Sequence, residues 1–523
     1  LDGVELVGLP AKALNRVRAT RIAMVFQDSQ QALNPYLSIG EQLTCVLKGH
    51  RLARGAAAAA KARQLLHRVG LPDADRQYRS YPHQLSGGMR QRAMIALALS
   101  CGPGMIIADE PTTALDVTVQ AQILALLQEL RREAGIGVLL ITHDLGVVAQ
   151  NCDRMLVMHA GRVVEQGSTA QVFDRPQRVE TRAMLAAVPR LDALPPPRPA
   201  ESPAVLRVEN LTVSFRDRHA RHAPAAAVRD LSFSLQRGET LAIVGESGSG
   251  KTTVARAVLG LIAADSGAIY LAGKRAAANL HLRPAAQRHA MQLVFQDPVA
   301  SLNPSMTVES TLAEAFALRT PRLAPPARRK KVIAALARVG LDEAVLCRRP
   351  HELSGGQAQR VAIARALAFE PGILFCDEAV AAMDGTVRAG VINLIQAEQG
   401  RTGLSVVFIT HDLAVVRQIS HRVLVMYKGR LCELAGNDAL FRKPQHPYTR
   451  LLLDSVPSAD PRRRPQCVSA IGEIPSADAS AAGCVFHPRC GFAVPACAAD
   501  VPHARLLDGS AVACHRAEDI DLT

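Results

Sequence analysis

Short apolar runs alternate with amphipathic stretches along most of this chain, the pattern of a mainly parallel sheet covered by helices. TLAIV at 240–244 reads as a buried strand running into a glycine-rich turn, and the segment behind it sets Val254, Ala257, Val258 and Leu261 at helical spacing. MIIA at 105–108 and ILFC at 373–376 read as buried strands that end on acidic residues. VLLIT at 138–142 and VVFIT at 406–410 read as strands that end on histidine. Hairpin-like segments follow at 155–167 and 423–435, turning near Gly161 and Gly429. Helical runs are expected at 89–99 and 357–367, each behind a Leu-Ser-Gly-Gly box, with a mostly helical insertion before each box.

Every one of these signals except the strand, glycine-rich turn and helix at 240–261 occurs twice. Ser86 and Ser354, Glu110 and Glu378, and His143 and His411 each stand 268 residues apart, and Gln27 and Gln296 stand 269 apart. The expected organisation is a repeated α/β domain: 1–190, a Pro-rich linker at 191–203, a second copy at 204–455, and a small Cys-containing module at 456–523. Lys251 in the turn precedes Gln296 by 45 residues, so its counterpart would fall ahead of Leu1. The chain is therefore expected to be N-terminally incomplete, its first copy lacking the turn.

Composition adds limits. At 523 residues, two or three domains are expected, and no apolar run is long enough to span a bilayer. The net charge of +14 suits anionic lipid, nucleic acid or a phosphate-bearing ligand, although an Arg- and Ala-rich composition accounts for it more simply. Eleven cysteines, an odd number, argue against a fully paired disulfide framework and for a reducing compartment. Four of them, Cys484, Cys490, Cys497 and Cys514, crowd the C-terminus. Iron–sulfur, zinc and packed thiols are the alternatives there, because no C-x-x-C pair decides between them.

The glycine-rich turn, Gly245, Glu246, Ser247, Gly248, Ser249, Gly250, Lys251, Thr252 and Thr253, fits G-x-x-x-x-G-K-T between a strand and a helix. Its backbone N–H groups and the helix start suit a β-phosphate, Lys251 suits the β- and γ-phosphates, and Thr252 suits Mg²⁺. Asp377 at the following strand end suits Mg²⁺, and Glu378 suits a general base for water. Asp109 and Glu110 are their equivalents. Gln27 and Gln296 are candidates for the Mg²⁺ site, and His143 and His411 for a γ-phosphate hydrogen bond. In Ser86, Gly87, Gly88 and Ser354, Gly355, Gly356, a helix cap alone explains the serine. Paired glycines at a helix start suggest that something approaches the backbone closely. Phe215 is a candidate to stack on adenine, or a core residue.

Taken together, the motifs resemble an ABC-type ATPase with two fused cassettes. The resemblance implies ATP hydrolysis with Mg²⁺ in a composite site: 245–253, Gln296, Asp377, Glu378 and His411 against Ser86–Gly88 of the other copy. CDEAVAAMD at 376–384 departs from the family's DEP-T-S-A-L-D, which 109–116 follows more closely as DEPTTALD. KPQHPYTRLLLDSVP at 443–457 and GCVFHPRC at 483–490 resemble the tail of dipeptide, oligopeptide, nickel and glutathione importer ATPases. Copy one carries an echo at 175–189 without the His-Pro-Tyr. The implied protein is a peripheral ATPase on the cytoplasmic face of a bacterial inner membrane. It works with two integral-membrane permease subunits and an extracytoplasmic solute-binding protein, its cassettes pairing within the chain and with no nucleic acid expected. In some members of that group the tail cysteines hold a 4Fe-4S cluster. The rival reading is a tandem ATPase acting on ribosomes or DNA.

Overall fold

The computed structural model describes residues 1, 3–113, 115–197, 202–215, 225–380, 383, 385–463 and 483–522. The chain divides into two compact units. One holds Leu1–Leu185 and the stretch that starts at Pro457; the other holds Ala186–Val456 and the C-terminal stretch.

In the first unit, Ile22–Val25, Met105–Asp109 and Gly137–Ile141 form a parallel sheet in that order. The hairpin Arg154–His159 with Arg162–Ser168 pairs separately. Helices Ile39–Gly49, Gly55–Arg68 and Ala74–Arg79 build the insertion between the first strand and the helix Gly87–Leu99. Local chemistry starts them: the Ser38 hydroxyl accepts from Glu41 N–H at 3.2 Å, while Glu41 accepts from Ser38 N–H at 2.8 Å. Ile39, Leu43 and Leu47 then repeat every four residues and are fully buried.

The second unit has the fuller architecture. Five strands run parallel in the order Met291–Val294, Ile373–Asp377, Ser405–Ile409, Thr240–Val244 and Arg422–Tyr427. Arg430–Gly436 adds antiparallel to the last of these. Ser510–Val512 and Arg505–Leu507 of the C-terminal stretch then extend the same sheet, Glu433 lying opposite Val512. A second, antiparallel sheet contains Ala204–Phe215, Ala225–Gln236, Ser266–Leu271 and Lys274–Arg275. The parallel sheet of each unit and its helical insertion give the α/β fold expected from the alternating pattern.

Three expectations need correction. Leu261 lies beyond the helix Lys251–Leu259 and is exposed, because Gly260 ends the helix at φ 77°. Met105–Asp109 is buried only at alternate positions, unlike the fully buried Ile373–Asp377. The continuous apolar run at 105–108 does not reveal how much of each face is covered. The helices behind the Ser-Gly-Gly boxes also begin two residues earlier than expected, at Gly87 and Gly355.

Candidate functional site

The fully buried strand Thr240–Val244 delivers the chain into the turn at Gly245, and Gly250, at φ 98°, caps the helix that starts at Lys251. Both glycines are sterically required. A Cβ on Gly245 would stand 2.1 Å from the Met426 carbonyl oxygen, and one on Gly250 2.4 Å from that of Ala227. Lys251 is buried and folds back onto the turn, its Nζ donating to the carbonyls of Gly245 at 2.7 Å and Glu246 at 3.0 Å. The turn thus surrounds an ammonium that donates to backbone oxygens, the arrangement a phosphate can exchange into.

The paired strand ends bring the expected acidic residues to this turn. The Thr252 hydroxyl donates to Asp377 Oδ1 at 3.0 Å. Burial pushes the Asp377 carboxyl up, against that hydrogen bond. A buried carboxylate in this state, beside a hydroxyl, fits a divalent cation. Glu378 sits at φ 48°, a left-handed backbone that costs a residue with a Cβ on the order of 1 kcal/mol or more. Its N–H is held by the Ile409 carbonyl at 2.9 Å. Its carboxylate accepts from Gln296 Nε2 at 2.9 Å and lies 3.6 Å from His411 Nδ1. The adjacent His411 ring holds this carboxyl below its usual range, against the effect of burial.

The first unit builds the same constellation. Glu110 has φ 42° and its N–H is held by Ile141 at 2.9 Å. Gln27 donates to its carboxylate at 2.8 Å and His143 Nδ1 lies 2.9 Å away. Thr113 adds a hydroxyl at 2.7 Å, a partner the sequence reading missed. In both units the glutamine, expected at a metal, donates to the glutamate. Asp109 ends the strand beside Glu110.

Ser86 and Ser354 are helix caps, accepting from Met89 N–H at 3.2 Å and Gln357 N–H at 3.3 Å. The second glycine of each box has a packing reason. A Cβ on Gly88 would meet Val119 Cγ1 at 2.6 Å, and one on Gly356 would meet Val387 Cγ1 at 2.5 Å. The close approach inferred from the sequence is here a neighbouring helix. The first glycines differ: Gly87 has only Leu115 at 3.6 Å and Gly355 has nothing within 4 Å, leaving those backbone positions open.

Phe215 is exposed at the end of its strand, so it is not a core residue. Asp384, which the resemblance counts among the retained residues, lies outside the described residues. Cys484, Cys490, Cys497 and Cys514 line one small apolar pocket with Phe486 and His446. Among the described residues, no three His, Cys, Asp or Glu side chains are grouped to hold a single metal ion. Burial pushes the Cys514 thiol up to about 11 and raises those of Cys484 and Cys490.

An ABC transporter family model matches residues 7–113 and 228–381, and the model of the oligopeptide/dipeptide transporter C-terminal region matches 432–497. The glutathione import ATP-binding protein GsiA of Escherichia coli K12 is 45% identical over 503 residues, covering 90% of this chain and 80% of that protein. Its namesake in Shigella flexneri is 45% identical over 505 residues, covering 91% and 81%. Among solved structures, cbiO1 of Clostridium perfringens, part of the ABC transporter complex cbiONQ, is 29% identical over 46% of this chain and 90% of its own, with a TM-score of 0.40.

Proposed function

This chain belongs to the ATP-binding proteins of the oligopeptide, dipeptide and glutathione ABC importers, and from that premise we propose how its residues divide the work of ATP-driven import. It is an ATPase, and these relatives do not favour an enzyme acting on ribosomes or DNA.

In the proposed site, Lys251 exchanges the Gly245 and Glu246 carbonyls for the β- and γ-phosphates of ATP. The N–H groups of 246–253 surround the β-phosphate, and Phe215 stacks on the adenine. Thr252, Gln296 and Asp377 would hold Mg²⁺, which neutralises phosphate charge when bound. Glu378 takes the proton of the attacking water, its carboxylate oriented by Gln296, and His411 hydrogen-bonds the γ-phosphate. Ser86, Gly87 and Gly88 clasp that phosphate from the other repeat. Gln27, Asp109, Glu110 and His143 with Ser354–Gly356 form the mirror set. The observation that carries this reading is the phosphate turn with Lys251 on its own carbonyls and Thr252 on Asp377.

The two repeats act as fused cassettes that pair on ATP and part after hydrolysis, driving two permease subunits fed by a solute-binding protein. The solute is a peptide or a glutathione-like tripeptide, and the chain sits on the cytoplasmic face of the inner membrane. The chain docks there on the permeases; among its described residues no helix is long and apolar enough to cross a membrane. Proteoliposomes carrying the permeases and this chain should take up labelled glutathione or dipeptide with ATP, and Lys251→Ala should abolish uptake. A chain that purifies on ribosomes and leaves membranes without uptake would refute the assignment.

Cys484, Cys490, Cys497 and Cys514 line one pocket, and a 4Fe-4S cluster bound by this chain would draw on those four thiolates. Anaerobically purified protein should then contain about four irons per chain, lost in Cys490→Ser; iron-free protein would reject the cluster.

A further inference from the structure

The phosphate turn is braced by residues distant in sequence and outside the ATP machinery described above. Glu246, the second residue of the turn, is a buried carboxylate, and the residue that neutralises it is Arg489 of the C-terminal stretch. Arg489 Nη1 donates to Glu246 Oε2 at 2.7 Å and Nη2 to Oε1 at 3.0 Å, a bidentate pair whose side chains are 4% and 2% exposed. The Glu246 backbone is held as well: its N–H donates to the Tyr448 hydroxyl at 2.9 Å, and its carbonyl accepts from Lys251. One residue of the turn therefore joins the phosphate-binding lysine to two side chains of the tail.

The brace is packed to be rigid. The guanidinium of Arg489 lies 5.7 Å from the Tyr427 ring centre and 5.9 Å from that of Phe486, with Tyr427 also accepting a hydrogen bond at 3.3 Å. Tyr427, Tyr448 and Phe486 pack on one another at 4.7–5.4 Å. Arg489 ends the short turn His487–Arg489 and directly precedes Cys490, so its backbone is fixed where the thiol pocket begins. A fork that makes two parallel bonds to a buried carboxylate fixes orientation as well as distance.

We propose that Arg489, assisted by Tyr448, is a positioning residue for the ATP site, holding the phosphate turn through Glu246 in the shape that accepts ATP. The proposal rests on the assignment of 245–253 as the phosphate loop. Loss of the clamp takes the guanidinium fork from the buried Glu246 carboxylate, so the turn rearranges to bring that side chain towards water. Binding of the triphosphate then has to restore the turn, which weakens affinity and leaves the bond-breaking groups Glu378 and His411 intact.

The test measures ATP affinity with a fluorescent ATP analogue, together with kcat and KM for hydrolysis, on the full chain. Lys251→Ala, Arg489→Met, Arg489→Lys and Tyr448→Phe are compared with the native protein. Arg489→Met should raise KM and Kd for ATP about tenfold with kcat changed less than about threefold. Arg489→Lys, which keeps the charge but not the fork, should recover part of that loss. Tyr448→Phe, which keeps the ring and removes only the hydroxyl, should raise KM about threefold and serves if Arg489→Met does not fold. A merely structural role would lower the active fraction and kcat and leave KM in place; unchanged KM in a folded Arg489→Met or in Tyr448→Phe overturns the proposal. If Lys251→Ala binds ATP as the native chain does, the phosphate-loop assignment itself fails; if it loses binding while the tail variants keep native KM, only the clamp is refuted.

Discussion

The two repeats place the same glutamate, glutamine and histidine at matching strand ends, and among the described residues a phosphate turn stands beside those of the second. Glu110 and Glu378 share a left-handed backbone and an N–H held by the isoleucine that ends the next strand. Glu165 and Glu433 repeat another local device, each accepting two backbone N–H groups from the segment that follows its hairpin. These features depend only on neighbouring strands and survive wherever those strands pair. What differs is the surroundings. Ser405–Ile409 pairs with the phosphate-turn strand and is wholly buried, whereas in Gly137–Ile141, with one described strand partner, Leu139 and Ile141 are 41% and 45% exposed.

The sharpest way to break the comparison is to remove each glutamate in turn. Glu378→Gln should lower kcat for ATP hydrolysis about 10²–10⁴-fold with ATP still bound. Glu110→Gln in the 523-residue chain should stay within about threefold of native turnover. Equal losses would mean that the repeats are catalytically equivalent. A smaller asymmetry is expected at the serines. Ser86→Ala should lower kcat about tenfold or more, since its hydroxyl is assigned to the hydrolysed γ-phosphate. Ser354→Ala should cost only its helix cap, on the order of 1 kcal/mol of stability; matching kinetic losses from the two would sink the assignment. Smallest, and symmetric, is the packing effect of Gly88→Ala and Gly356→Ala. Each puts a methyl about 2.5 Å from a valine and should destabilise its own unit by roughly 1–3 kcal/mol, read as a lower unfolding midpoint in denaturant. A folded, unshifted Gly88→Ala would show that Val119 can move.

Much of this was legible in the sequence, because the informative residues are local. The box spacing of 268 residues located both carboxylate constellations, and strand–turn–helix context located Lys251, Thr252 and Asp377. Long-range and partner-dependent features were not legible. Arg489 and Glu246 are 243 residues apart, and nothing in either segment names the other. Arg505–Leu507 and Ser510–Val512 are too short to announce that they extend the main sheet. The exposure of Leu139 depends on what covers the strand, which its apolar pattern does not encode. For the second glycine of each box, only the contacts identify Val119 and Val387 as the groups that approach closely.

Nucleotide stoichiometry tests the central asymmetry most directly. Titration of Glu378→Gln with Mg²⁺ and ATP in a calorimeter should give one tightly bound ATP per 523-residue chain, and adding Lys251→Ala should remove it. Two ATP molecules per chain, or tight binding that persists without Lys251, would contradict the account.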